Sequence, residues 1–246
     1  ALAIGAQASI FAVVQRVVFA PLAYPASDRL IRLDHGVPRV RIASGVGMTT
    51  GLYRQYLERA RTLESVAIYR LEESTLVRSG QPERILTARA STTLAPILRV
   101  SPVLGGWFQE GEGNSGAPQV AVLSHGLWIR RFGGDASVLG SAVTLDGAPA
   151  TIVGVMPASF AFPDPLVELW APDAVSQVPG FGLPFSRTGV ARLRDGVTVD
   201  DVRAELNGII ADLPRVYPGD TGVMGNVGEG GLVSVAVPLK DVVIGN

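Results

Sequence analysis

Few residues in this chain of 246 could do catalytic chemistry. There is no cysteine, which excludes thiol catalysis, thiolate metal sites and a disulfide framework. Histidine occurs twice, as His35 and His125, too little for a catalytic zinc site that usually takes three protein ligands. Ser124 directly precedes His125. A serine and a histidine act as nucleophile and base only when the fold brings them together with a third, orienting group, and the G-x-S-x-G elbow is missing. The plainer reading makes Ser124 the cap of a short helix. Glu72-Glu73 and Asp200-Asp201 are paired acids. Neighbours on a strand point to opposite faces, and acids in a first helical turn serve the helix dipole. The expectation is therefore a protein that is not an enzyme, with no catalytic, metal or cofactor-binding residue assigned and any ligand site left open.

Glycine-rich stretches are the other candidates. Gly111, Gly113 and Gly116 spell G-x-G-x-x-G, but the dinucleotide fingerprint needs a strand before it and a helix after it. Here a strand follows and Pro118 intervenes. GVGMTTG (45–51) and GNVGEGG (225–231) lack the lysine of a phosphate loop, so each reads as a loop over open surface. Trp107, Phe108, Trp128, Phe132, Phe160, Phe162 and Trp170 all fall in the middle of the chain. They read first as a small core of their own, and second as an apolar ligand or partner surface.

Composition narrows the class further. Charged residues are 17%, below the roughly 25% of ordinary soluble domains, and mean hydropathy is +0.31. Twenty-one basic and 22 acidic residues give a net charge of -1, which argues against a nucleic-acid partner. The length suits one large domain or two small ones.

The elements that must position these residues follow from periodicity. Residues 1–15 carry no charge, fewer than the roughly 20 apolar residues of a spanning helix. A signal peptide would need a basic n-region, which is missing, and a buried amphipathic helix is the plain alternative. A run apolar almost all round favours the outer end of a transmembrane helix over 1–21. Strands are expected at 27–34, 66–71, 74–78, 83–91, 119–124, 187–196 and 233–237, with a loop at 36–48. Thr50 could cap a helix over 52–63. Gly133-Gly134 end a helix begun at His125, and Asp146-Gly147 mark a hairpin. Thr198 with Asp201 resembles a capping box opening a helix whose stripe runs to Leu213 and which Pro214 should end. The order reads as α+β. Pro- and Gly-rich seams near 92–106 and 176–188 suggest a middle subdomain inserted into an outer one.

Four phrases, in order, carry a family resemblance: IGAQASIFAVVQRVVFAPLAYPASDRLIRL (4–33), VAVLSHGLWIRRFGGDASVLGSAVTLDGAPATIVGVMP (120–157), GVARLRDGVTVDDVRAEL (189–206) and VAVPLKDVVIGN (235–246). Together they resemble the MacB-like periplasmic core domain of bacterial ABC permeases, whose membrane part is FtsX-like. The resemblance implies a two-lobed domain outside the cytoplasmic membrane, between the first and second transmembrane helices. A porter-like subdomain would take 22–90 and 186–246, and an inserted, mostly β, Sabre-like subdomain 91–185. It also implies a dimer of permeases driven by a cytoplasmic ATPase domain or subunit, with a periplasmic adaptor as a further partner. This chain has no Walker A motif, so ATP chemistry would lie elsewhere, and the family brings no catalytic residues or cofactor. The alternative is a membrane-anchored sensor or hydrolase, which would need Ser124, His125 and a carboxylate within hydrogen-bond reach.

Overall fold

The structure is a computed structural model, and it describes residues 24–112, 117–173, 180–182, 184–220 and 231–244. The expected helix end at 1–21 and the glycines at 113, 116 and 225–230 lie outside these residues.

The chain enters through a single 3-10 turn, Ser27–Arg29, and runs directly into β1 (Leu30–Val37). A second 3-10 turn leads to β2 (Ile42–Val46), so the stretch expected as loop contains a short hairpin strand. Helix α1 (Thr50–Arg59) follows, then β3 (Leu63–Arg78) and β4 (Gln81–Ala90). The two short strands expected at 66–71 and 74–78 are one strand, because β4 pairs with it without interruption from Tyr69↔Ala90 to Arg78↔Gln81. The middle of the chain supplies α2 (Leu94–Leu98), β5 (Leu104–Gly105), β6 (Gln119–Leu123), α3 (His125–Phe132), β7 (Ala142–Leu145), β8 (Ala148–Val155) and β9 (Val167–Pro172). The last part gives β10 (Thr188–Leu193), α4 (Val199–Val216), β11 (Val233–Pro238) and α5 (Leu239–Ile244).

Among the described residues the eleven strands make one mixed sheet, ordered β11-β1-β10-β3-β4-β9-β6-β8-β5, with β2 on β1 and β7 on β3 and β8. The fold is α+β. Strands from the two ends of the chain occupy one side of the sheet and strands from the middle occupy the other. The parallel pair β4–β9 and the antiparallel contact Leu76↔Leu145 of β3–β7 join them.

Local signals explain the helices. Ser124 Oγ accepts from Leu127 N at 3.1 Å, and Gly133 closes α3 in the left-handed conformation (φ 65°). Thr198 and Asp201 form the reciprocal capping box of α4. Thr49, not Thr50, caps α1, accepting from Leu52 N at 3.1 Å. Pro214 does not end α4. Its ring removes one hydrogen bond, yet the helix runs on to Val216 and Tyr217 N still reaches Leu213 O at 2.9 Å.

Three apolar clusters hold the sheet. One face of β1, β3 and β10 packs on α1 and α4 through Ile31, Leu33, Leu52, Tyr56, Leu206 and Ile210. The opposite face of the same strands, through Leu30, Ala67 and Val190, packs on α2 and on Trp107, Phe108, Phe160, Phe162 and Trp170. A third cluster lies between β6–β9 and α3, with Phe132 inside it and Trp128 at its edge. The aromatic residues therefore do not form a separate small core. Five of the seven belong to the cluster that reaches under the outer strands.

The second half of the GVGMTTG run is interior as well, while Gly45 is exposed. Met48, Thr49 and Thr50 are buried, Met48 bridges Arg187 backbone to backbone, and Gly51 N donates to Phe181 O at 2.9 Å. A Cβ on Gly47 would stand 2.6 Å from Arg187 O, and one on Gly51 2.5 Å from Phe181 O. These glycines serve close backbone approach rather than an open surface loop.

Candidate functional site

Ser124 and His125 do not assemble into a nucleophile and base. Ser124 Oγ is engaged at the head of α3, and the His125 ring lies edge-on to Trp128 with centroids 5.4 Å apart. The paired acids are also spoken for. Glu72 is held by Arg70 and by Arg89 at 2.6 Å, while Glu73 turns the other way to Arg84. Asp200 pairs with Arg203 at 2.8 Å, and Asp201 completes the capping box. Among the described residues no group of three or more histidines and acids could hold a metal ion.

The structure instead gathers polar groups where the chain enters the sheet. Arg192, on β10, is 1% exposed. Its Nε donates to Ile97 O at 2.9 Å and its Nη1 to Ala26 O at 2.8 Å. Arg29 Nε donates to Leu193 O at 2.8 Å, and its guanidinium pairs with Glu64 at 2.7 Å and Asp195 at 2.6 Å. Arg99, just past α2, reaches the same Glu64 at 3.2 Å. Helix α5 lies against this turn and against β1, and Leu239 enters the core beside Leu30. Arginines from three elements thus tie the first described turn to β3, β10 and α2. Burial pulls the Arg192 guanidinium below the usual arginine range, with Arg99 and Arg29 adding to the effect and Glu64 opposing it. It stays charged, because a guanidinium keeps its proton in proteins. Sequence reasoning passed over Arg192, although a charged residue at an inward-facing strand position was a readable signal.

A second polar set marks the seam between the two sides of the sheet. Asp173, just after β9, takes Arg187 at 2.6 and 3.1 Å. The hairpin turn at Asp146 hooks onto β3, accepting from Thr75 N at 2.8 Å and donating to Thr75 O at 2.9 Å. A cleft of about 390 Å³ opens there between Thr50, Arg70, Ser186 and Arg187. Its floor is shared by α1, β3 and the segment leading to β10.

A buried pair stiffens the first cluster. His35 and Tyr56 are fully buried. Gly47 O can only accept, so His35 Nδ1 donates to it at 3.0 Å and Nε2 accepts the Tyr56 hydroxyl at 2.8 Å. Burial lowers the pKa of His35, against smaller raising effects from Gly47 O and Asp34, and burial raises that of Tyr56.

These features define a class: an α+β domain built on one mixed sheet, with its first and last described segments meeting at an arginine-tied junction. The family model of the MacB-like periplasmic core domain matches residues 1–209, and the chain belongs to that family. Solved structures agree in fold. A permease-protein domain from Porphyromonas gingivalis superposes with a TM-score of 0.63 at 16% identity, over 88% of this chain and 93% of that one. The periplasmic region of MacB from Actinobacillus actinomycetemcomitans gives 0.62 at 14% identity, over 93% and 96%. The extracellular domain of the noncanonic ABC-type transporter YknZ from Gram-positive bacteria gives 0.54 at 16%, over 78% and 95%. No curated protein matches the chain in sequence at a significant level. Among the described residues no helix is long and apolar enough to cross a membrane.

Proposed function

We propose that this domain is a non-catalytic coupler in an ABC-type permease, relaying movement of flanking membrane helices to substrate or partner proteins outside the membrane. The observation that carries this reading is the continuity of the sheet. Hydrogen-bonded strands run without a break from β11 and β1, beside the arginine junction, to β5 at the far side. A sheet closed on three packed clusters moves as a body, so a small displacement at its root becomes a displacement at its far edge. In this reading 1–21 is the outer end of the first transmembrane helix, 22–90 and 186–246 form the porter-like part, and 91–185 is the Sabre-like insertion. The segregation of their strands to opposite sides of the sheet supports that division. The permease would act as a dimer, powered by a cytoplasmic ATPase domain or subunit, with a periplasmic adaptor among its partners. The hydrolase alternative gains nothing from a Ser124 used as a helix cap.

Co-purification of the full-length parent from native membranes tests the assignment. Recovery of an ATP-binding-cassette ATPase, separate or in the same polypeptide, is the expected result. A parent recovered intact with no such ATPase overturns it.

A further inference from the structure

Arg192 is an unusual buried cation. Buried charges are normally paired with an opposite charge, yet among the described residues no carboxylate forms an ion pair with Arg192, and its Nη2 has no hydrogen-bond partner. Asp28 and Glu64 act on it only through longer-range attraction, against repulsion from Arg99 and Arg29. The two neighbouring arginines share a single acid, Glu64, which is itself half-exposed, and Arg29's second partner, Asp195, stands almost fully in solvent. Three guanidiniums from three elements therefore converge, and none of the three nearby acids, Asp28, Glu64 and Asp195, is bonded to Arg192. We infer that Arg29, Arg99 and Arg192 form a seat for the phosphate of an anionic lipid headgroup.

Guanidinium forks match phosphate oxygens in number and geometry. Arg29 and Arg99 are partly exposed and can present donors outward, while the buried Arg192 adds a fixed positive field behind them. The position selects a lipid over a soluble phosphate. Arg192 holds the carbonyl of Ala26, eleven residues past the end of the uncharged run at 1–15. Tyr24 stands in the same approach, its ring 6.4 Å from Phe160 and 6.3 Å from Phe162, the amphipathic type enriched at membrane interfaces. Lys240, the chain's one lysine, is exposed on α5, which packs against the same turn. The inference rests on the reading that 1–21 leads into a membrane. If so, the headgroup layer lies against the arginines, and the domain root is fastened to lipid as well as to its helices.

Sedimentation of the whole chain with vesicles tests both steps separately. Vesicles of phosphatidylcholine alone report the apolar segment, and vesicles also containing phosphatidylglycerol report the arginines. Partition onto the anionic vesicles should exceed that onto neutral ones, and the excess should fall by about fivefold per arginine removed in Arg99→Gln and Arg29→Gln. Arg99→Gln is the safer variant, since among the described residues the Arg99 side chain hydrogen-bonds to Glu64 alone, and thermal melting confirms that each variant is folded. No partition onto neutral vesicles overturns the membrane reading. Neutral partition without an anionic excess, or an excess that survives both substitutions, overturns the headgroup seat alone. An excess abolished by inorganic phosphate at constant ionic strength assigns the seat to a soluble anion and overturns the lipid assignment.

Discussion

Arg192 Nη1 donates to the carbonyl of Ala26 at 2.8 Å, so a side chain in the middle of the sheet holds the turn through which the chain enters it. The same guanidinium holds Ile97 O. Truncation has two opposed effects. It strands the Ile97 carbonyl, costing about 1–3 kcal/mol if left unpaired in the interior, while Ala26 O keeps Arg29 N at 3.2 Å, and it relieves a buried charge that has no ion-pair partner. The first effect is larger, because the buried acceptor loses its donor and the core loses the packed stem of a long side chain together. Arg192→Ala should therefore destabilise the fold by roughly 1–3 kcal/mol, read as a lower urea midpoint. A change under about 0.5 kcal/mol would place Arg192 among ordinary surface residues and remove it from the junction.

His35 makes stability depend on pH. Its pKa is lowered in the fold, by burial first, so the folded chain keeps the ring neutral while the unfolded chain takes up a proton near pH 6.5. The unfolded state then binds more protons, and stability falls as pH drops below about 6.5, by up to about 1.4 kcal/mol per pH unit. Denaturant melts between pH 7 and pH 5 should show this slope in the natural chain and a flatter one in His35→Gln. Parallel slopes in the two would assign the effect to other groups.

Gly51 should resist even the smallest side chain. In a helix, Gly→Ala normally gains about 0.5–1 kcal/mol. Here the added Cβ meets backbone, with Phe181 O at 2.5 Å and Phe181 Cα at 2.7 Å, and backbone cannot rotate away. Overpacking costs of about 1–3 kcal/mol or more outweigh the helical gain. Gly51→Ala should thus lower the melting temperature, and a rise would contradict the close packing of α1 on Phe181.

Strand β11 pairs only with β1 among the described residues, yet its outer side is covered. Ser234 N donates to Asn207 Oδ1 at 2.8 Å, and Ala236 O accepts from Arg203 Nε at 3.1 Å, both from α4. Unpaired strand edges recruit other strands. Arg203→Ala combined with Asn207→Ala should expose the edge and increase self-association, measured by light scattering across a concentration series. An unchanged mass distribution would show that the edge is guarded by something else.

Much of this architecture was legible in the residues, because the devices that carry it are local. Ser124, Thr198 with Asp201, Gly133 and the Asp146-Gly147 turn each act within a few positions, and the structure uses every one. What escaped depends on distant partners. The strand TGVARL reads as apolar, and nothing near Arg192 in sequence announces Ala26 or Ile97 as its acceptors. The run GVGMTTG has a loop's composition, and the burial of its second half follows only from Phe181 and Arg187 lying across it. The aromatic residues of the middle segment looked sufficient for a core of their own. That five of them lie under Leu30 and Val190 is decided by sheet order, set by the β4–β9 pairing, which periodicity does not reveal.

The relay itself is best tested by distance. The chain lacks cysteine, so a spin label can be placed at Leu166, which is 71% exposed on the inserted side. Label-to-label distances would be measured across the proposed permease dimer in lipid, with and without ATP. Coupling predicts that ATP shifts the distance between the two domains, while a pair of labels within one domain, at Val40 and Leu166, keeps its separation. Identical inter-domain distances in the two states, in a transporter that hydrolyses ATP, would contradict the account.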